Sequence, residues 1–298
     1  MKLYKYTIKP TSSFGTPLKG DTLFGQLCWA VRYLYGEETL TTLLNEYASD
    51  PFLIVSDAFP TGYLPKPKMP SSYLKEDTKQ KKENRKKVWL TYQELQKGEY
   101  HLARKDKDIA LLDKQSTTIH NALNYLTFHT GDGDGFDPYG TDEYILGEKD
   151  IYFAIDENRF DKDQLEKSAR FIATLGYGKD TTIGKGRFEI INITETEIDT
   201  TQSTSYMTLS PFSPKGQEFE KIFYDPFVRF GKHGYERAHQ KAFKKPLLLA
   251  DSASVVKLSH SLPQEKPYIG KALENISDNH PETKHQGYSI VIPIKELT

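Results

Sequence analysis

Two strand–helix–strand units within residues 1–195 constrain the fold more than any other feature of the chain. In the first, "KLYKYTIKP" sets Leu3, Tyr4, Tyr6 and Ile8 among polar residues, the pattern of a starting strand closed by Pro10. The run "GDTLFGQLCWAVRYLYG" follows, with apolar residues at 23, 24, 27, 30, 31 and 34, a stripe along one helix face. Asp21 is its expected N-cap and Gly36 its expected stop. "PFLIVSDAFP" then reads as a short, strongly apolar strand between prolines. The second unit comprises the strand "DIYFAID", the helix "DKDQLEKSARFIATLG" with Leu165, Ala169, Ile172 and Leu175 on its stripe, and the strand "GRFEIINITE". This β-α-β…β-α-β order predicts an α+β class with a ferredoxin-like (RRM-like) domain over residues 1–195.

Two segments interrupt that plan. Residues 62–112 form a basic insertion, in which 62–74 are rich in proline and lysine and read as loop. Between 75 and 87, "KEDTKQKKENRKK" carries seven basic and three acidic residues. It is either a solvated helix face or mobile insertion, or an electrostatic contact with an RNA backbone. Residues 113–147 have little hydrophobic periodicity and many turn formers, which predicts a projecting long loop or extended hairpin. "IDTTQSTS" marks a domain boundary. Beyond it, residues 196–298 carry "YMTLSPFSP", "PLLLADSASVVKL" and "GYSIVIPIKE", the expected strands of a second, β-rich domain.

Bulk properties narrow the function classes less. Hydrophobic residues at 37% and charged residues at 27% are a soluble globular composition. Nineteen Tyr, 16 Phe and 2 Trp supply many rings, which fill cores and also stack on bases. The formal net charge of −1 means that any basic surface must be local. Cys28 is the only cysteine, so a disulfide framework and a Cys-based zinc site are excluded, and its apolar setting "LFGQLCWAV" predicts a buried thiol. No apolar run approaches the ~18 residues of a membrane span, and "MKLYKYTIKP" lacks a signal peptide's apolar core. A cytoplasmic protein without a membrane partner is expected.

The stretch "GYGKDTTIGKGRFE", residues 176–189, is the strongest chemical motif. A Walker A loop needs four residues between its first Gly and Gly-Lys, then Ser or Thr for magnesium. Here five residues separate Gly178 from Gly184, and Gly186 follows Lys185. A G-x-G-x-x-G fingerprint fails because Asp180 and Thr181 follow Gly178. Both nucleotide motifs also lie between a strand and a following helix, whereas this loop lies after a helix and before a strand. What remains is a set of glycines that lets backbone amides face an anion, with charge from Lys179, Lys185 and Arg187 and hydroxyls from Thr181 and Thr182. The alternative is a helix C-cap leading into a tight turn, with no ligand.

The loop resembles the glycine-rich loop of the RAMP superfamily of CRISPR-associated proteins, Gly-hydrophobic-Gly, about five residues including a base, then Gly-hydrophobic-Gly. It stands in the same place, after the last helix of a ferredoxin-like domain. "GDTLFGQLCWAV", "SDAFPTGYLPKP", "TTIHNALNYLTF" and "HQGYSIVIPIKE" resemble one branch, the fourth subunits of type III-A (Csm) effector complexes. Residues 66–112 and 195–245 are not covered, and Lys185 departs from the hydrophobic residue usual between the second glycine pair. The resemblance implies two ferredoxin-like halves, the second degraded, and a non-catalytic subunit that needs no cofactor. It implies that the chain grips the repeat-derived 5′ tag of a CRISPR RNA through Gly176, Gly178, Lys179, Thr181, Thr182, Gly184, Lys185, Gly186 and Arg187. It further implies contact with a large polymerase-like subunit and backbone RAMP subunits, and with target RNA only indirectly. In this family the insertion at 113–147 forms a thumb, with His120, Asn121 and Asn124 expected at its base.

Catalysis and metal binding compete with that reading. The superfamily includes endoribonucleases, and His120 is the candidate base for a metal-independent repeat-processing alternative. His129, His233, His239 and His285 also lie in plausible loop contexts, but no pair shows diagnostic spacing. Asp132, Asp134 and Asp137 in "GDGDGFDPYG" place Glu143 at the twelfth position of a calcium-loop frame. Phe136 then falls on a ligand position and Asp137 on the obligatory Gly, so an acidic Gly-rich turn is expected instead. "YDPFVRFGKHGYER" interleaves Phe227, Arg229, Phe230, Lys232 and Tyr235, suited either to base stacking and phosphate contact or to a strand with one packed face.

Overall fold

The computed structural model describes residues 1–131, 135–234, 236 and 242–297, with the side chain of Thr78 excepted. Asp132, Asp134, Tyr235 and His239 lie outside the described residues. In chain order the elements are β1 (Lys2–Pro10), α1 (Gly20–Tyr35), α2 (Glu37–Asn45), β2 (Leu53–Val55), β3 (Phe59–Pro60), β4 (Leu64–Pro65), α3 (Ser71–Leu74), α4 (Lys81–Lys86), β5 (Trp89–Leu90) and α5 (Tyr92–Lys97). There follow β6 (Lys114–His120), β7 (Tyr139–Ile145), β8 (Lys149–Ile155), α6 (Lys162–Leu175) and β9 (Phe188–Thr196). The remaining strands are β10 (Ser205–Thr208), β11 (Lys221–Phe223), β12 (Pro226–Arg229), β13 (Leu247–Ala250), β14 (Val255–Lys257), β15 (Tyr268–Gly270) and β16 (Tyr288–Pro293).

The first sheet has the order β2-β8-β1-β9, antiparallel throughout, with β3 also pairing β8. Tyr6 and Ile8 share one face of β1, as the period of two requires, and meet Leu23 and Leu27 of α1 and Ala169 and Ile172 of α6. Truncating a fully buried member such as Leu27 to Ala costs about 2–5 kcal/mol by general precedent. Three local expectations need correction. Asp21 is not the N-cap of α1; Lys19 holds that position without a side-chain cap, and the buried Asp21 carboxylate has another partner. Leu34 and Leu175, in the last turns of α1 and α6, are exposed rather than part of the buried stripe. Cys28 is half-buried at the core's margin, and burial pushes its thiol up to about 12. Gly36 does end α1, with φ 93° and its amide on Arg32 O at 3.0 Å.

The second sheet has the order β11-β14-β10-β16-β15, again antiparallel. "PLLLADSASVVKL" supplies two strands, not one. Ala253 takes φ 63° between β13 and β14, which turns the chain from one ladder to another. With β3 and the edge strand β15 set aside, the two sheets share an order: β2-β8-β1-β9 and β11-β14-β10-β16, each numbered in chain order, are both 2-3-1-4. Each sheet also has a hairpin between its second and third strands, β6–β7 in the first and β12–β13 in the second.

The halves are joined by polar and aromatic contacts rather than by a linker alone. The Gln286 side-chain amide brackets the free edge of β2, accepting from Val55 N at 2.8 Å and donating to Val55 O at 2.7 Å. Such buried bonds contribute about 1 kcal/mol each and leave edge groups unsatisfied when removed. Tyr288 packs edge-on against Tyr47 and donates to Ala48 O at 2.7 Å. The insertion at 62–112 is braced internally: Thr91 and Glu94 form a capping box on α5, and the Glu94 carboxylate takes a bidentate bond from Arg104 at 2.7 Å.

Candidate nucleic-acid interface

The glycine-rich loop is built from closely spaced positive-φ turns. Gly176, Gly178, Gly184 and Gly186 have φ of 103°, 85°, 91° and 78°, and Asp180 joins them at 66°. The need for glycine is steric at three of these: a Cβ at Gly178 would lie 2.8 Å from Thr16 Cβ, and at the other two the obstacle is backbone. A Cβ at Gly176 would lie 2.4 Å from Lys185 O, and one at Gly186 would lie 2.1 Å from Tyr177 O. The two ends of the loop are therefore pressed together, and Tyr177 N donates to Gly186 O at 2.9 Å. Thr181–Ile183 form a single 3-10 turn between them.

The loop rests on the strap at residues 11–19. Gly186 N donates to Ser13 O at 2.7 Å, Lys179 N to Thr16 Oγ1 at 3.1 Å and Arg187 N to Ser12 Oγ at 2.9 Å. The buried Tyr177 hydroxyl donates to Pro17 O and accepts from Lys19 N. These bonds fix which groups face outward: Lys179, Thr182 and Arg187 are exposed and Thr181 is half-exposed.

Lys185 is only 7% exposed and its ammonium sits 2.8 Å from Glu143 Oε1 on β7. The Lys185 ammonium, with smaller contributions from Thr118 and Ser13, holds the Glu143 carboxyl below its usual range. A position where the resemblance leads one to look for an apolar residue thus fastens the loop to the hairpin. Phe14 and Tyr144 add a reciprocal backbone pair at 2.8 Å, so strap, loop and hairpin meet at one place.

The hairpin itself is a seven-residue ladder from Lys114↔Ile145 to His120↔Tyr139. Its root is held by Asp113, which accepts from Gly147 N and Lys149 Nζ. His120 stacks on Tyr139 at the far end of the ladder, and Asn121 and Asn124 lie beyond it. They are not at the hairpin's base, as expected, but about 20 Å along it at a strand's rise per residue. Asn124 closes a turn, accepting from Leu126 N at 2.9 Å. Around that turn Tyr125, Leu126 and Phe128 are 79%, 93% and 75% exposed. Sequence reading passes over this apolar tip; its signal is large apolar residues in a segment with no periodicity to bury them.

Arg229 and Lys232 are engaged elsewhere than on the loop's outward face. Arg229 forms a bidentate pair with Asp21, 2.6 Å at both oxygens, and His285 Nε2 lies 3.4 Å from Asp21 Oδ2. Burial alone would raise the Asp21 carboxyl, but His285 and Arg229 outweigh it and hold it far below the usual carboxylate range. Lys232 lies on the second hairpin with its ammonium 4.5 Å from the Phe243 ring centroid. His233 is buried against Ser277, and His129 pairs with Asn124 in the tip. A further network has no counterpart among the sequence expectations: Lys19 Nζ bonds Asp57 Oδ2 at 2.8 Å and Asp251 Oδ1 at 2.9 Å, and Lys68 bonds Asp251 at 2.7 Å. Burial lowers the Lys19 ammonium, yet Asp57 and Asp251 outweigh it and hold it above its usual value.

Residues 13–189 match the RAMP superfamily, more than half of the chain and the part that contains most of the strap, the hairpin and the loop. The chain belongs to the RAMP superfamily. Its fold is similar to that of chains solved in Csm assemblies. A chain of a Csm1–Csm4 cassette in complex with AMPPNP aligns with TM-score 0.65 at 17% identity, covering 100% of both chains. A chain of the Csm3–Csm4 subcomplex of the type III-A CRISPR-Cas interference complex aligns with TM-score 0.61 at 18% identity, covering 99% of this chain and 100% of the other. Among curated proteins no sequence shows significant similarity. No helix among the described residues is long and apolar enough to cross a membrane.

Proposed function

We propose that this chain is a non-catalytic, guide-RNA-binding subunit of a type III-A (Csm) effector complex, acting in the cytoplasm. It holds the repeat-derived 5′ tag on the glycine-rich loop and docks a large polymerase-like subunit and backbone RAMP subunits. Target RNA is met only through the guide. The observation that carries this reading is the loop's outward face: Lys179, Thr182 and Arg187 are exposed on a backbone fixed by positive-φ glycines. That arrangement suits phosphate contact from side chains and amides together. Membership of the RAMP superfamily and fold likeness to chains from Csm assemblies support it.

The shared 2-3-1-4 order of four strands in each sheet supports two ferredoxin-like halves, the second with an added edge strand, β15, and loops where the first has helices. The hairpin β6–β7 is the thumb of the first half, and its exposed rings are suited to displacing or stacking on bases. Purified protein incubated with repeat RNA in EDTA tests the non-catalytic part of the reading. The RNA is expected to be bound and left intact; site-specific cleavage abolished by His120→Ala would overturn it in favour of an endoribonuclease.

A further inference from the structure

A cleft of about 840 Å3 lies beside the strap, between the root of the hairpin and the basic insertion. Most of its charges answer one another. Asp57, Asp225 and Asp251 are held by Lys19 and Lys68, Glu76 by Lys66 at 2.6 Å, and Asp113 by Lys149. Asp77 caps the turn before α4, accepting from Lys79 N at 2.9 Å. Two cations in the wall have no acidic partner among the described residues: Lys81 and Arg85, four residues apart on one face of α4. The α4 wall is therefore the positive side of the cleft. Its lining also includes the half-buried rings of Trp89 and Tyr144. The Trp89 indole is fixed by its bond to Asp106 Oδ1 at 2.6 Å, and the Tyr144 main chain is pinned by its backbone pair with Phe14.

From this juxtaposition of two uncommitted cations with two half-buried rings, we propose that the cleft seats one or two nucleotides of single-stranded RNA. Their phosphates meet Lys81 and Arg85, and their bases meet Trp89 and Tyr144. Its volume falls within the range of small-ligand sites, about 300–1,000 Å3. Rings and cations together are the usual means of holding single strands without reading sequence. The inference rests on the reading that the chain holds an RNA strand, and it assigns the basic run at 75–87 to a second contact on that strand.

The test is photo-cross-linking of the full chain to 5′-tag RNA oligonucleotides carrying 4-thiouridine at each position in turn, with cross-linked peptides read by mass spectrometry. Cross-links to the peptides bearing Trp89 or Tyr144 are expected from one or two adjacent positions. They should vanish in the double variant Lys81→Glu/Arg85→Glu while cross-links to residues 179–187 persist. Both substituted side chains are exposed, and an unchanged thermal transition checks that the variant folds. The salt dependence of binding should weaken by about 0.7 in log–log slope for each phosphate that the variant no longer neutralises. Cross-links at 179–187 with none in the cleft, or cleft cross-links that survive the double variant, refute the cleft and leave the loop reading standing. No cross-link at either place refutes both.

Discussion

Lys185 Nζ lies 2.8 Å from Glu143 Oε1, joining the glycine-rich loop to the hairpin β6–β7. The pair is shielded, with side-chain exposures of 9% and 18%, and the Glu143 carboxyl is depressed below its usual range. Lys185→Met is therefore expected to destabilise the protein by about 1–3 kcal/mol, because the Glu143 carboxylate is left without its partner in a half-buried site. The log–log salt slope of RNA binding should stay unchanged, since the ammonium does not face the ligand. A slope reduced by about 0.7 would instead place Lys185 on a phosphate. Urea titration and salt-dependent binding of the same variant give both readings.

Two glycines of the loop differ in a way that ranks their substitution. Gly184 has open space where a Cβ would go, so Gly184→Ala meets only the left-handed backbone preference, a cost of about 1–2 kcal/mol. Gly186→Ala adds a clash with the backbone of Tyr177 and should cost clearly more, with loss of RNA retention. Equal midpoints for the two variants in chemical unfolding would contradict the pressed-together geometry of the loop ends.

Asp21 is buried and bonded by Arg229. Arg229→Ala leaves a buried carboxylate without its guanidinium and is expected to cost about 3–5 kcal/mol. The folded-state carboxyl is depressed, so its contribution is fully present above the unfolded value of about 3.9 and is lost as pH falls below it. The stability gap between wild type and Asp21→Asn should therefore shrink as pH falls from about 5 to about 3. Urea midpoints across that range check it.

The hairpin tip separates folding from binding. Tyr125 and Phe128 are mostly exposed, so Tyr125→Ala and Phe128→Ala should change stability by no more than about 0.5 kcal/mol. If they stack on the guide, each should weaken RNA binding by about 1–3 kcal/mol. Thermal melts alongside fluorescence anisotropy with tag RNA distinguish the two effects.

Long periodic elements are readable because burial imposes their pattern: β1, α1 and α6 lie where alternation and the 3.6-residue stripe put them. The loop's spacing likewise tells against nucleotide motifs without any knowledge of the fold. What is not readable depends on distant partners or on single backbone angles. Arg229 reads as a phosphate-contact residue among rings, but a buried carboxylate 208 residues away takes it. "PLLLADSASVVKL" reads as one apolar strand until Ala253 adopts φ 63°. His120 is expected at the hairpin's base and found at its far end, because a segment without hydrophobic periodicity gives no mark of where its ladder starts and stops.

The central claim is that the exposed cations of the glycine-rich loop grip an RNA backbone. Its most direct test is the affinity for 5′-tag RNA as a function of salt, compared between wild type and Lys179→Ala/Arg187→Ala. Weaker binding is expected, with a log–log slope shallower by about 1.4, at about 0.7 for each phosphate left without its cation. An affinity and slope indistinguishable from wild type would contradict it.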